Sequence, residues 1–315
     1  LVYPKYIVDP TTWEFFGRAR GPLMNPSANG VFLTATLALV SSLWLHAGRR
    51  GKVGYLFLIG LIGLATLFTL TRSVWMGCMV LAGVLSMVYL PRWSRVLSLA
   101  TLVLVGGMVA TGASDGFLSL KRDKELSASD SAKSVEMRPL LAIVGWEMFK
   151  DRPLIGHGFG GYFDASPEYH SIRTWDLPLE EVRGYMQHNV LTSIAVDAGL
   201  IGLVLFCVWI ITITCLAWRL MSSSSHTPTT RHLGAWTIGI VCGYMVNGMF
   251  HDVSVMPMLN VLVLFAGAIV TTVSTQSVQV AAGVSPSAAF RGRDRRSPTA
   301  IGWGNDSQGG RVPSC

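Results

Sequence analysis

Seven apolar stretches constrain this chain more than any other feature, at residues 28–47, 53–70, 74–90, 96–112, 190–218, 233–250 and 253–273. A helix rises about 1.5 Å per residue, so each stretch is long enough to cross, or nearly cross, the roughly 30 Å hydrocarbon layer of a bilayer. A soluble fold could not cover them. Half of the 315 residues are hydrophobic and 14% are charged, where a soluble domain carries about 25% charge. Mean hydropathy is +0.46. The expected fold is all-α, a polytopic transmembrane helix bundle of about seven spans with one large external loop that itself contains helices.

The formal charge of +7 could be taken for a nucleic-acid surface, but its distribution argues for a topology signal instead. Short basic links fall at 48–52 (Arg49, Arg50, Lys52), 91–95 (Arg92, Arg95) and 219–232 (Arg219, Arg231), and the tail adds Arg291, Arg293, Arg295, Arg296 and Arg311. By the positive-inside rule these are cytoplasmic. The same rule places four segments together on the outer face: 1–27, the hairpin Thr71–Ser73, the loop 113–189 and the turn His251–Asp252. The long loop holds nine Lys/Arg against twelve Asp/Glu. The predicted organisation is thus an external segment 1–27, four spans over 28–112, the external loop 113–189, three spans over 190–273 and a cytoplasmic tail 274–315. That tail is rich in Ser, Gly, Pro and Arg and too poor in large apolar residues to offset its chain entropy, so disorder is expected. Its Arg291–Arg296 run reads as a solvated topology signal or as a contact to anionic lipid.

Within the long loop, residues 134–150 have helical periodicity, with Leu141, Val144 and Met148 on one face and Leu140, Ile143 and Phe149 broadening it. Pro139 would sit in the first turn, and Pro153 should stop the helix near Asp151. A glycine-dense turn, Gly156-His157-Gly158-Phe159-Gly160-Gly161, follows. It succeeds a helix and a proline rather than a strand, so it reads as a tight turn and not as a dinucleotide loop. The five cysteines, Cys78, Cys207, Cys215, Cys242 and Cys315, have no metal-ligand spacing. No GxxxxGK[ST], DxD, HExxH or GxSxG pattern occurs. No metal or cofactor is therefore expected.

The candidate chemistry rests on few residues. Arg72 lies between two spans with almost no linker, either snorkelling to lipid phosphate or offering its planar fork of donors to a bound phosphate. Arg138 opens the loop helix, and Arg18 and Arg20 precede the first span. His188, at the mouth of the fifth span, is the leading acid/base candidate because imidazole exchanges protons near neutrality; a structural role is its alternative. His157, His170 and His251 are weaker candidates. Asp197 is the one clear carboxylate inside an apolar run, either a hydrogen-bonded residue near the outer interface or a functional one.

Taken in order, Thr71-Arg72-Ser73, Met137-Arg138 through Gly145-Trp146, Arg152-Pro153-Leu154-Ile155-Gly156-His157-Gly158-Phe159-Gly160, His188-Asn189 and Asp197-Ala198-Gly199-Leu200-Ile201-Gly202 resemble the O-antigen ligase and O-antigen polymerase superfamily over roughly residues 60–215. The segment Gly17–Pro26 is similar to the stretch before a middle span in these proteins. The resemblance implies about a dozen spans in the whole protein, so this chain, which begins at Leu1, is expected to be its C-terminal portion. It also implies a bacterial inner-membrane enzyme with a periplasmic loop, performing metal-independent, inverting transfer of a glycan from undecaprenyl diphosphate to an acceptor hydroxyl on lipid A core or another glycan. By resemblance Arg72 and Arg138, with Arg20, hold the diphosphate. His188 takes the acceptor proton, and Asn189 and Asp197 support it. Two positions depart from the family pattern: Asp197 stands where glutamate is frequent, and His157 where a smaller or apolar residue is usual. The partners are then lipid-linked glycan, acceptor glycolipid and membrane lipid, with no nucleic acid. The competing classes are a transporter or channel for an anionic solute or polysaccharide, and a scaffold in polysaccharide assembly.

Overall fold

The structure, a computed structural model, describes residues 18–110 and 124–281, and only the backbone of residues 105–106, 108–110, 124–135 and 278–281. The expectations for residues 1–17 and for the tail beyond 281 lie outside the described residues; residues 274–281, expected to belong to the disordered tail, instead continue the last helix, Pro257–Ala281. All regular structure among the described residues is helical: α1 Pro26–His46, α2 Arg49–Phe68, α3 Arg72–Tyr89, α4 Arg92–Ala110, α5 Lys124–Asp151, α6 Tyr162–Tyr169, α7 Val190–Ser222, α8 Pro228–Gly248 and α9 Pro257–Ala281, with short 3-10 turns at Gly21–Leu23 and Leu179–Val182. The described residues up to Val273 form one compact unit, to which everything below belongs.

Seven helices thus stand where the apolar runs predicted them. Five, α1, α2, α3, α7 and α9, are long and apolar enough to cross a membrane. The composition of α8 differs because of where it sits. It packs against α1, α3 and α7, so it needs close approach more than oiliness. A Cβ on Gly239 would fall 2.5 Å from the Ala38 Cβ, and one on Gly243 would fall 3.0 Å from the Val31 Cα. Small residues at such positions let helices meet backbone to backbone, the usual way to bind helices where lipid removes the hydrophobic driving force. Around this axis, Val31, Ala35, Ile213, Ile240 and Leu259 form one buried cluster, and Ala38, Leu81, Leu220, Ile238 and Val270 another. By contrast α2 presents Val53 at 70% and Phe57 at 66% exposure.

Helix starts follow local chemistry. Asn25 caps α1 by accepting from the amides of Ser27 (2.9 Å) and Ala28 (3.0 Å), with Pro26 at the first helical position. Asn189 caps α7 in the same way, accepting from Leu191 at 2.9 Å and Thr192 at 3.2 Å.

The loop packs as its periodicity indicated: Leu141, Val144 and Met148 are buried with Tyr162, Leu179, Val182 and Val196. Its helix differs in one respect. It begins at Lys124, ten residues before the expected 134, so Pro139 sits inside α5 rather than in its first turn. Proline there forfeits one intrahelical hydrogen bond, while the helix after it is held by the apolar face packed on α6 and α7. It ends at Asp151, before Pro153, as expected.

The fifth apolar run is also interrupted. Gly199 has φ 64° and ψ −163° in the middle of α7, a conformation essentially reserved for glycine. The break divides a first portion, 190–198, from the membrane-length portion 200–222.

Candidate active site

Helix α3 begins directly after the α2–α3 turn, so Arg72 stands at one end of the bundle. Its turn is tightly wired: Thr69 donates to the Thr66 carbonyl (2.7 Å), Thr71 to the Thr69 carbonyl (2.8 Å), and the Trp75 indole to the Thr66 carbonyl (3.0 Å). Leu70 between them has φ 46°, an uncommon backbone state for a branched side chain. The neighbouring Ser73 donates to the Asn247 Oδ1 at 2.8 Å, and the Asn247 amide donates to the Gly243 carbonyl at 2.8 Å. Ser73 and Asn247 are buried. This bond ties the arginine-bearing turn of α3 to the last turn of α8, directly before the α8–α9 turn that carries Phe250, His251 and Asp252.

Arg138 comes to the same place from α5. Its guanidinium lies 5.4 Å from the centre of the Phe250 ring, and its Nε is buried without a hydrogen-bond partner. Burial first, and then the positive charge of Arg72, lower its pKa below the ordinary guanidinium value. A bound anion would relieve both penalties.

His188, immediately before the α7 cap, is the third contributor. Burial and then Arg138 hold its imidazole below the usual value, opposed by Asp252. His251 is pushed down further, to about 4, by burial and then by His188, Arg138 and Arg18. Both imidazoles are therefore neutral near pH 7 and able to accept a proton. Arg18 thus lies within electrostatic reach of this group. Arg20, two residues on, is 3% exposed, in a segment tied to the end of α2 by the Ala19 amide on the Phe68 carbonyl (2.9 Å).

The remaining candidates have structural bonds. Asn189 is the α7 cap. Asp197, 7% exposed, accepts from the Gly160 amide at 3.1 Å and lines a small crevice of about 20 Å³ with Ser193, Gln187 and Asp252. His157 donates from Nε2 to the Met148 carbonyl at 2.9 Å and meets Tyr169 edge-on at 5.9 Å. The glycine turn wraps the break in α7, its His157 and Gly158 amides donating to the Val196 and Asp197 carbonyls at 2.8 and 2.9 Å. Those amides are occupied, which disposes of a phosphate-cradle reading. Among the described residues no group of three His, Cys, Asp or Glu side chains is gathered as metal ligands.

Two participants were not singled out from sequence. Phe250 offers its ring to Arg138. Asp252 accepts from the Ser193 hydroxyl at 2.6 Å, the Ser254 amide at 3.0 Å and the Ser254 hydroxyl, and faces His188 electrostatically. The only pointer to either was the expectation that the 251–252 turn shares the face of Arg72. Beneath Arg72, Thr66, Leu67, Trp75 and Met79 line an apolar crevice of about 390 Å³ between α1, α2 and α3.

An apolar helical bundle of this kind, with its polar cluster at one end, defines a multi-pass helical membrane protein. Residues 56–207, just under half of the chain, match the family model described as O-antigen ligase. A membrane glycan-handling function of the ligase or polymerase type comes with that match. No curated protein matches the chain significantly.

Proposed function

We propose that the protein moves a glycan from undecaprenyl diphosphate to an acceptor hydroxyl at the periplasmic face of a bacterial inner membrane. The observation that supports this most is the meeting of Arg72, Arg138 and His188, drawn from three elements distant in sequence, at one end of the bundle. The basic links between α1 and α2, α3 and α4, and α7 and α8 lie at the opposite end, which by the positive-inside rule supports a periplasmic assignment for this end. Arg72 and Arg138, aided by Arg18 and Arg20, hold the diphosphate. His188 accepts the proton as the acceptor oxygen forms its bond to the anomeric carbon, and the carbon–oxygen bond to the diphosphate breaks on the opposite face. The leaving diphosphate gathers negative charge, which fixed guanidinium donors stabilise as it develops. The crevice below Arg72 has the apolar walls that the first isoprene units require. The acceptor is a hydroxyl of lipid A core or of another glycan.

Purified protein in detergent, given lipid-linked oligosaccharide and acceptor, provides the test, because without compartments a transporter or channel yields no product. Turnover is expected. Arg72→Ala should lower it about 10²–10³-fold, as for loss of one donor to developing charge. Arg72→Lys should fall between that variant and wild type, since an ammonium keeps the charge and loses the fork. Equal rates in all three proteins would remove Arg72 from the mechanism.

The pH profile is a further check. A base held below the ordinary imidazole value stays neutral, and competent, down to that lowered value. The acid limb of transfer should therefore lie below pH 6.5, the ordinary value. A limb above it would contradict the electrostatic environment described for His188.

A further inference from the structure

The turn 154–163 exposes large apolar side chains that no part of the proposed reaction uses: Leu154 at 61%, Ile155 at 72% and Phe159 at 82% exposure. Its backbone is bonded to the broken helix α7. The Leu200 amide donates to the Pro153 carbonyl at 2.7 Å, and the Ile201 amide to the Leu154 carbonyl at 3.3 Å. The contact is close enough that a Cβ on Gly199 would lie 2.3 Å from the Leu154 carbonyl carbon, and one on Gly156 would lie 2.5 Å from the Val196 carbonyl oxygen.

From Leu200 onward α7 shows the bilayer a continuous apolar stripe: Ile201, Val204, Leu205, Val208 and Ile211 are 49–64% exposed. Residues 200–222 rise about 34 Å, slightly more than the roughly 30 Å hydrocarbon layer. Leu200 and Ile201 therefore stand at its edge, and Leu154 and Ile155 beside them stand at the same depth. Non-helical backbone is tolerated there only if its polar groups are satisfied within the protein. This turn meets that condition at five amides: Gly156 donates to the Arg152 carbonyl, His157 and Gly158 to α7 carbonyls, Gly161 to Gly158, and Gly160 to the Asp197 carboxylate. Arg152, exposed at the base of the turn, can place its charge among headgroups while its stem stays apolar.

We propose that the Leu154–Phe163 turn dips into the interfacial zone of the bilayer on the side of the cationic cluster, with Leu154, Ile155 and Phe159 among the lipid acyl chains. The surface is continuous with the lipid-facing stripe of α7, and this favours lipid over a protein partner. The inference concerns membrane contact alone and holds whether or not the transfer reaction is as described above.

Nitroxide labels at Ile155→Cys and Phe159→Cys, in a background with the native cysteines replaced by serine and reconstituted in phosphatidylethanolamine–phosphatidylglycerol vesicles, test it. Both labels should collide more often with oxygen than with a water-soluble nickel chelate. A label at Glu181→Cys, exposed elsewhere in the loop, should show the reverse. Each variant is required to elute from gel filtration in detergent as the parent does, and Leu154→Cys replaces either position that does not. Water-like accessibility at 155 and 159 would overturn the proposal. So would immobilised labels shielded from both reagents, with spin–spin broadening pointing to a second copy or without it to a protein partner.

Discussion

His188→Ala is expected to lower glycan transfer about 10²–10⁴-fold, the usual contribution of a positioned general base, while the protein inserts at normal levels. The loss should fall on kcat more than on KM for the lipid-linked donor, because in the proposed reaction the imidazole receives the acceptor proton and the arginines hold the diphosphate. Burial and Arg138 keep the ring neutral, so it is able to receive a proton without first losing one. His251 lies near it and is also neutral; if it served as the base instead, His188→Ala would retain most of the rate and His251→Ala would not. Kinetics on the two variants in detergent decide between them.

Gly199→Ala should be strongly destabilising. The backbone there has φ 64° and ψ −163°, which alone costs a non-glycine residue about 1–3 kcal/mol. The added carbon would also lie 2.3 Å from a backbone atom of Leu154, which cannot move without breaking the bonds between the glycine turn and α7. Gly60→Ala is the matched control, since a Cβ at Gly60 in α2 meets nothing within 4 Å and alanine is the better helix former by about 1 kcal/mol. Thermal unfolding in detergent should show a lowered midpoint for Gly199→Ala and an unchanged or raised one for Gly60→Ala. Comparable midpoints in both variants would contradict the strained break in α7.

What could be read from the sequence follows from which physical signals are local. Helix positions were legible because an apolar run long enough for a bilayer has few other interpretations, and the face formed by Leu141, Val144 and Met148 was legible from its spacing. The end of α5 was signalled by Pro153. Its beginning was not, since residues 124–133, Lys-Glu-Leu-Ser-Ala-Ser-Asp-Ser-Ala-Lys, carry no apolar periodicity. The break at Gly199 was hidden for a related reason: glycine is common in membrane helices, and only the neighbouring turn, distant in sequence, shows why this one cannot continue the helix.

The candidate site was legible to the extent that topology makes it so. Counting spans put the segment of Arg18 and Arg20, the hairpin of Arg72, the loop of Arg138 and His188, and the 251–252 turn at one end of the bundle. That end does contain the mutual electrostatic contacts of Arg18, Arg72, Arg138, His188 and His251. Side-chain partnerships across helices were not legible. Nothing local to Phe250 foretells an arginine over its ring, and nothing local to Asn247 foretells its bond to Ser73.

That bond makes the two walls of the crevice beneath Arg72 mechanically unequal. On one side α3 is braced through Ser73 to the buried end of α8, a bond that holds the start of α3, and Arg72 with it, against that end. On the other side α2 leans on α1, is tied to α3 at its Thr66 end by the Trp75 indole, and shows most of its surface outward. Sideways movement of the part of α2 before Thr66 would widen the crevice and leave the arginine where it is, admitting a long lipid tail from the bilayer without disturbing the polar end. Spin-label distances should then be broadly distributed from α2 to α8 and narrow from α3 to α8.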